Sequence, residues 1–435
     1  MPTIALTTLG CKLNFAETSA IGQQFAGRGY TPVEFGLPAD VTVINTCSVT
    51  ARADRECRQL IRRTLRASPA SVVVVTGCYA QLKPEEVASI EGVDYVLGTR
   101  EKASIASLLN PARKQSSPQI RVSDIGSGDE FGPAWSSEAG GRTRAFLKVQ
   151  DGCDYSCSFC TIPLARGPSR SQSIGESVRQ AEALVAGGYR EIVLTGVNVG
   201  DYGRKSGTDL LALLGALVRI GGLERIRISS IEPNLLTDEI VAFVASHPSL
   251  CRHFHVPLQS GSDSILRLMQ RRYTAARYAA RIRAVGERIP DCGIGVDVIV
   301  GFPGETDADF RATCDFIADL PVSYLHVFTY SEREDTPAAR AASQVDPGVR
   351  AERSRILRGI GLAKKQEFYS RMVGQTVPVL LEEDNEDGGR CGFTGNYVRV
   401  TVPAEEAPGN SLVDVSITGL LGDRCTGRVR TEEWV

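Results

Sequence analysis

The sequence predicts a multidomain α/β protein with three parts: an N-terminal open parallel α/β sheet, a central partial barrel of six βα units, and a small C-terminal all-β barrel. Three observations carry this prediction. Apolar strand-like runs alternate with helical stretches through the first hundred residues and again, for longer, from residue 144. Such continuous apolar runs between helices mark parallel strands covered on both faces. The two series are separated by residues 113–142, rich in Ser, Gly, Pro and charge, which read as a linker. After Gly374 the pattern changes to short apolar or alternating runs parted by Gly and Asn turns. The expected domains are therefore 1–112, 143–371 and 372–435, with 113–142 between the first two.

In the first unit, residues 4–9 form an apolar, β-prone run, and a helix is expected over about 16–27. Residues 41–46 make a second strand, followed by a helix bearing Arg52, Arg55, Arg58, Arg62, Arg63 and Arg66 at helical spacing. Residues 72–76 make a third strand and 94–97 a fourth. In the middle unit, strands are expected at 145–149, 191–195, 225–229, 253–257, 294–300 and 323–328, with helices between them at about 173–187, 208–219, 235–246, 262–288 and 306–319. Six such units make a partial barrel, since a closed one takes eight. A basic helical stretch over 348–371 ends the unit. The tail offers strands at 377–381, 397–402 and 412–417, which suit a five-stranded barrel.

Composition narrows the functional classes. The chain has 435 residues, 42% apolar and 23% charged, values of an ordinary globular protein. No stretch has the length of a membrane span, and the first residues lack the basic and apolar regions of a secretion signal. A cytoplasmic location is expected, and in that reducing setting the 12 cysteines are ligands or buried thiols before they are disulfides. The net charge of −2 does not advertise nucleic acid. The arginine-striped helix does so locally, although a solvated face explains it equally well. A second basic stretch holds Arg267, Arg271, Arg272, Arg277, Arg281 and Arg283.

Two sets of cysteines carry the chemistry. Cys153, Cys157 and Cys160 stand in Cys-Asp-Tyr-Ser-Cys-Ser-Phe-Cys, directly after the first strand of the middle unit. Three thiolates so spaced suit three irons of a [4Fe–4S] cubane and leave the fourth open to a ligand. Zinc or a closed cluster wants a fourth ligand, and no further Cys or His lies near this run. Inert cysteines are the remaining alternative. The second set is dispersed: the first three strands end in Leu9-Gly10-Cys11, Asn45-Thr46-Cys47 and Thr76-Gly77-Cys78. Ligands of open parallel sheets bind at the carboxyl ends of strands, so the three should converge, with Gly10 and Gly77 allowing tight turns beside them. The alternative is three small buried hydrophobes.

The loops after the later strands of the middle unit pair Gly or Pro with hydrogen-bonding groups: Gly196 and Asn198, Ser230 and Glu232, Gln259, and Gly301. Singly these suit turns and caps, but all fall on the rim that carries Cys153, where a βα barrel builds its site. His255, in a strand, is read as a core histidine. Arg166 and Arg170 follow the cysteine loop and suit either a carboxylate or phosphate ligand or solvent.

The whole set resembles the radical S-adenosylmethionine (SAM) methylthiotransferases over essentially the full chain. The resemblance rests on both cysteine triads, on Phe159 before the last cysteine, on residues 148–153 (Lys-Val-Gln-Asp-Gly-Cys), on 255–261 (His-Val-Pro-Leu-Gln-Ser-Gly) and on 301–305 (Gly-Phe-Pro-Gly-Glu). It implies one cluster at Cys11, Cys47 and Cys78 and another at Cys153, Cys157 and Cys160. It implies SAM held at the second by Phe159, Gly196, Asn198, Ser230, Glu232, Gln259 and Gly301, and a C-terminal RNA-binding TRAM module. In the implied reaction one SAM methylates a sulfur at the first cluster, and a second SAM is cleaved at the other to a 5′-deoxyadenosyl radical. The radical then takes the hydrogen from the carbon that receives the methylthio group. Implied partners are the tRNA anticodon stem-loop, with Arg58, Arg62, Arg166 and Arg170 as candidate contacts, and a reductant such as flavodoxin or ferredoxin. Of the branches of the family, Leu-Gly-Cys11-Lys-Leu-Asn14 favours the one acting on N6-threonylcarbamoyladenosine at tRNA position 37. The alternatives are an isopentenyladenosine branch, a branch acting on a ribosomal-protein aspartate and, more distantly, a non-catalytic iron–sulfur protein.

Overall fold

The computed structural model describes residues 1–109, 113–126, 131–132, 134–135, 143–386 and 388–430. The expected boundary at 112 and much of the expected linker lie outside the described residues. Six parallel strands build the first sheet: β1 (Thr3–Thr8), β2 (Thr31–Val33), β3 (Val41–Thr46), β4 (Val72–Gly77), β5 (Tyr95–Leu97) and β6 (Gln119–Arg121). Their order is β2-β1-β3-β4-β5-β6. All residues of β3 and β4 are buried, as their unbroken Val and Ile runs require. Helices α1 (Lys12–Ala26), α2 (Ala51–Ala67), α3 (Cys78–Leu82), α4 (Pro84–Ala88) and α5 (Ile105–Leu108) connect the strands.

Strands β2 and β6 are absent from the sequence-based expectation, for a physical reason. Each is a three-residue edge; β2 contains Pro32, and β6 lies fully exposed inside a polar stretch. Neither presents an apolar signal. Part of the expected linker thus completes the sheet. Helix α1 starts at Lys12, four residues before the expected start, because Cys11 itself is the N-cap.

The middle unit runs β7 (Arg144–Lys148), β8 (Gln150–Asp151), α6 (Ile162–Arg166), β9 (Arg170–Ser171), α7 (Ile174–Ala186), β10 (Glu191–Thr195), α8 (Leu210–Leu217), β11 (Arg225–Ile228), α9 (Asp238–Ser246), β12 (His253–His255), α10 (Asp263–Leu268), α11 (Ala275–Arg288), β13 (Gly293–Val300), α12 (Asp307–Asp319), β14 (Tyr324–Thr329) and α13 (Pro347–Ser370). Strands β7, β10 and β11 form one parallel sheet and β12, β13 and β14 another. Parallel bridges Ile226–Leu250 and Ser230–His255 join them. Apolar residues on the outer faces of the strands pack with the helices into one continuous core. The helix expected over 262–288 is broken. Residues 269–274 leave the helical path between α10 and α11, with Gln270 in the left-handed region and Thr274 capping α11. The break turns Arg271 toward the cysteine loop.

The tail is a closed five-stranded barrel of β15 (Thr376–Glu386), β16 (Gly389–Thr394), β17 (Arg399–Pro403), β18 (Ser411–Leu421) and β19 (Arg424–Val429), ordered β15-β16-β17-β19-β18. Its own core includes Val379, Leu381, Val400, Val415 and Ile417. It packs on the start of the middle sheets through buried arginines. Arg225 donates to the carbonyls of Phe393 and Pro378 at 2.7 Å each, and Arg227 donates to Gly395 and pairs with Glu191 at 2.7 Å. A buried guanidinium needs such partners to offset its lost hydration. Among the described residues no helix is long and apolar enough to cross a membrane.

Candidate functional site

Cys11, Cys47 and Cys78 follow β1, β3 and β4, which are neighbours in the first sheet. Tight backbone turns bring them together. Gly10 has φ of 101°, and a Cβ there would lie 2.8 Å from the Cys47 sulfur. Gly77 has φ of 100°, and a Cβ would meet the Thr46 carbonyl oxygen at 2.5 Å. Only glycine fits either place. Cys11 is exposed, whereas Cys47 and Cys78 are buried. Burial, reinforced by the Cys78 thiolate, pushes the Cys47 thiol up to about 12, and burial raises Cys78 as well.

The second triad follows β8. Sulfur positions are set by backbone: the Tyr155 amide donates to Cys153 Sγ and the Ile162 amide to Cys160 Sγ, each at 3.4 Å. Arg271 donates to Cys157 Sγ at 3.1 Å and grips Glu232 with the same guanidinium. Burial pushes the Cys153 thiol up to about 11 and Cys160 to about 12. A cavity of about 450 Å³ opens over the three sulfurs. Neither triad brings its sulfurs all within 4.8 Å of one another. One ion demands that convergence, whereas a cubane spreads its thiolates over separate irons. Both donor sets therefore fit [4Fe–4S] clusters better than single zinc ions.

The expected SAM rim is assembled only in part. Asn198 accepts from the Glu232 amide at 3.2 Å and its own amide donates to Gln150. Its buried Nδ2 is without a partner, as are Thr195 Oγ1 and Ser229 Oγ. These three orphaned atoms at the ends of β10 and β11 fit a polar ligand that the chain itself does not replace. Gly196 packs against Gln150, where a Cβ would lie 2.7 Å from its Oε1. Ser230 bridges the two sheets through its backbone, and Glu232 is already committed to Arg271. Gln259 holds a left-handed φ of 67° and lines a second cavity, of about 200 Å³. Phe159 lines it too, set edge-on to Phe302. Gly301 holds a left-handed φ of 71°; its amide donates to the Glu305 carboxylate at 2.7 Å, and a Cβ would strike Arg350 at 2.3 Å, so backbone and packing both call for glycine there.

The second cavity reaches Cys160 and the loop that follows Cys47. Val49 and Thr50, just after Cys47, form one wall; Phe159 and Cys160 form another; Asp297 lies among the remaining lining residues.

The expected RNA-facing arginines divide. Arg62 is exposed on α2. Arg58 on the same helix donates to Tyr79 at 2.8 Å and to Glu86 at 2.9 Å, so it is half committed. Arg166 is a correction. It is 1% exposed and has no reach to a phosphate. Arg170 likewise bonds Asp151 at 3.2 Å and the carbonyls of Arg166 and Pro168.

Arg166 belongs instead to a buried network that joins the first sheet to the middle unit. It donates to Glu17 and Asp151, both at 2.9 Å, and to Asn14 Oδ1 at 2.6 Å. Lys102 and Lys148 also pair with Glu17, and Lys148 with Asp151. Burial alone would raise both carboxyls; the guanidinium and ammonium groups hold them well below the usual carboxylate range. Asn14 in turn donates to the carbonyls of Leu9 and Thr46, the residues just before the Cys11 turn and Cys47. One arginine, six residues after Cys160, thus holds the loops of the other triad. Sequence reasoning missed Glu17 and Lys102, which carry no local signal.

Known proteins match this arrangement. The Radical SAM superfamily matches residues 147–317, and a family described as Uncharacterized protein family UPF0004 matches residues 3–98. Threonylcarbamoyladenosine tRNA methylthiotransferase MtaB of Bacillus subtilis (strain 168) is 41% identical over 427 residues, covering 96% of this chain and 94% of that protein. The protein of the same description from Aquifex aeolicus (strain VF5) is 39% identical over 91% of this chain and 96% of its own length. Among solved structures, the radical S-adenosylmethionine methyltransferase TsrM from Kitasatospora setae, with cobalamin and a [4Fe–4S] cluster bound, superposes with a TM-score of 0.56 at 16% identity, covering 80% of each chain. That likeness is one of fold.

Proposed function

Because the chain belongs to the radical-SAM methylthiotransferase family, we propose that it places a methylthio group on carbon 2 of N6-threonylcarbamoyladenosine at position 37 of tRNA. One observation carries the reading: a single cavity is lined by Phe159 and Cys160 of one cysteine set and by Val49 and Thr50, which follow Cys47 of the other. A single carbon must lose a hydrogen and gain a sulfur, so one base must be reachable from both.

When bound, two [4Fe–4S] clusters and SAM supply the radical and the sulfur; the chain supplies placement. Cys11, Cys47 and Cys78 would hold one cluster, and Cys153, Cys157 and Cys160 the other. Thr195, Asn198 and Ser229 offer free polar atoms for SAM. Phe159 and Ile299 give the cavity apolar walls that keep water from a reactive centre. The Arg166–Glu17 network fixes the distance between the two cysteine sets. We read the two three-stranded sheets as one open (β/α)6 barrel and the closed five-stranded barrel as a TRAM module for RNA. Arg62, exposed on α2, is free to meet phosphate. The partners of this reading are the anticodon stem-loop and a low-potential reductant such as flavodoxin or ferredoxin, in the cytoplasm.

The threonylcarbamoyl branch is favoured by the loop Gly10-Cys11-Lys12-Leu13-Asn14 and by the near full-length likeness to proteins named for that activity. The test is an anaerobic assay of reconstituted protein with SAM, a reductant and three substrates: threonylcarbamoylated stem-loop, isopentenylated stem-loop and a ribosomal-protein peptide. Methylthio product is expected on the first. Product on either other substrate in its place refutes the assignment.

A further inference from the structure

His255, Asp297 and His326 stand on three adjacent strands and bring their ligating atoms within 4.8 Å of one another. Asp297 Oδ1 accepts from His255 Nε2 at 2.9 Å and from His326 Nδ1 at 3.2 Å. Burial would raise the Asp297 carboxyl, but the two imidazoles hold it far below its usual range. It is therefore an anion, and an anion can only accept. Both ring nitrogens facing it must carry hydrogen, which leaves His255 Nδ1 and His326 Nε2 for another partner. Asp297 is the member of the trio that lines the cavity reaching Cys160 and the loop after Cys47, and His326, 53% exposed, is the open end of the trio.

The trio sits two residues below the apolar layer of Ile299 and Phe328, which also line that cavity. Toward the amino ends of the strands Arg227 pairs with Glu191 and Arg144 with Glu382, and Lys12 adds a positive charge beside them. The lumen therefore combines an apolar upper layer with polar, positively biased groups below, a poor place for a hydrocarbon and a good one for an anion-bearing substituent.

We propose that His326 and His255, held by Asp297, read the carboxylate-bearing substituent on N6 of the target adenine, and so select a threonylcarbamoyl group against an apolar one. This rests on the function proposed above and names the residues that would decide its branch. The two histidines are binding residues for the substituent; Asp297 is a positioning residue.

The test compares three anticodon stem-loops: one with the threonylcarbamoyl group, one with its carboxylate converted to a carboxamide, and one with unmodified adenosine. Wild-type holoenzyme is expected to bind the acid over the amide by about 10- to 100-fold, as a charge-assisted hydrogen bond provides. His326→Leu should bring that ratio near one while leaving affinity for the unmodified stem-loop in place. Asp297→Asn should move the ratio the same way, and His326→Gln should retain part of it. An unchanged ratio in His326→Leu overturns the inference, and so does an equal fall in all three affinities, since the role is then structural. Stoichiometric binding of zinc or manganese to cluster-free protein, lost in His326→Leu, overturns it by making the trio a metal site. Absence of methylthio product from wild type on the threonylcarbamoylated stem-loop instead overturns the function on which it rests.

Discussion

Glu17→Gln tests whether the buried network, and not the cysteines alone, couples the two halves of the site. The substitution keeps size and one acceptor oxygen but turns the other into an NH2 donor and removes one charge. In the native protein Glu17 faces Arg166 at 2.9 and 3.2 Å, Lys148 at 3.2 Å and Lys102, with every group buried. Without it, Arg166 and Lys148 are left with Asp151 as their remaining carboxylate, and Lys102 loses its partner. Breaking one side of a buried pair costs about 3–5 kcal/mol, because the remaining charge has lost both its water and its partner. At about 1.4 kcal/mol per factor of ten, that raises the open population of this interface by roughly 100- to 3000-fold.

Native-state hydrogen exchange reads this directly. Amides of α1 and α6, on either side of the network, should exchange faster by that factor, while the core of the C-terminal barrel, which contributes no group to the network, is unaffected. Adding Lys102→Met should recover part of the loss, since it removes one of the orphaned cations. Exchange in α1 and α6 within about threefold of wild type would refute the reasoning, since the network would then contribute less than about 1 kcal/mol.

Two further outcomes follow from the site. Reconstituted wild type should carry about eight irons per chain and Cys47→Ala about four, measured by iron and sulfide analysis; unchanged iron in the variant would remove the first cluster. Acid should loosen the same interface: the carboxyls of Glu17 and Asp151 are depressed in the folded protein, so the unfolded chain binds more protons and stability rises with pH through this window. Their contribution is complete above the unfolded carboxylate range of about 4 and is lost as pH falls below it, which unfolding midpoints measured between pH 6 and pH 3 would show as a steep decline; a flat profile would contradict the depressed values.

Much of the site was legible because its signals are local. An apolar run ending in Cys states both a strand and a residue at its carboxyl end, and three such runs, two of them ending in Gly-Cys, pointed Cys11, Cys47 and Cys78 to one edge of the sheet. What escaped was long-range. Glu17 and Arg166 lie 149 positions apart, and neither sits in a pattern that distinguishes a buried pair from solvated charges. Arg166 was therefore read as facing solvent or a ligand when it faces a carboxylate. Asp297 and His326 meet as register partners on β13 and β14, and His255 on β12, paired with Gly295, reaches Asp297 diagonally; register is set by packing, which a single sequence does not print. The break at 269–274 was hidden by a helical pattern that continues on both sides, and was resolved by what Arg271 binds.

The two cysteine sets thus read as separable motifs in sequence and as one device in structure. Each could hold its cluster alone. Transfer of sulfur to the carbon that has just lost a hydrogen needs the two at a fixed separation, and a displacement of even an ångström at such a site is costly. Asn14 and Arg166 are the residues that convert two ligand sets into one geometry: Asn14 ties the turns of Cys11 and Cys47 to each other, and Arg166 ties Asn14 to the loop of Cys160. On this argument the most damaging change that spares every cysteine is one that frees Asn14. Asn14→Ala should keep both clusters assembled yet uncouple SAM cleavage from methylthio transfer, so that 5′-deoxyadenosine forms in excess of product. A variant whose two products fall in parallel would show that the separation is set elsewhere.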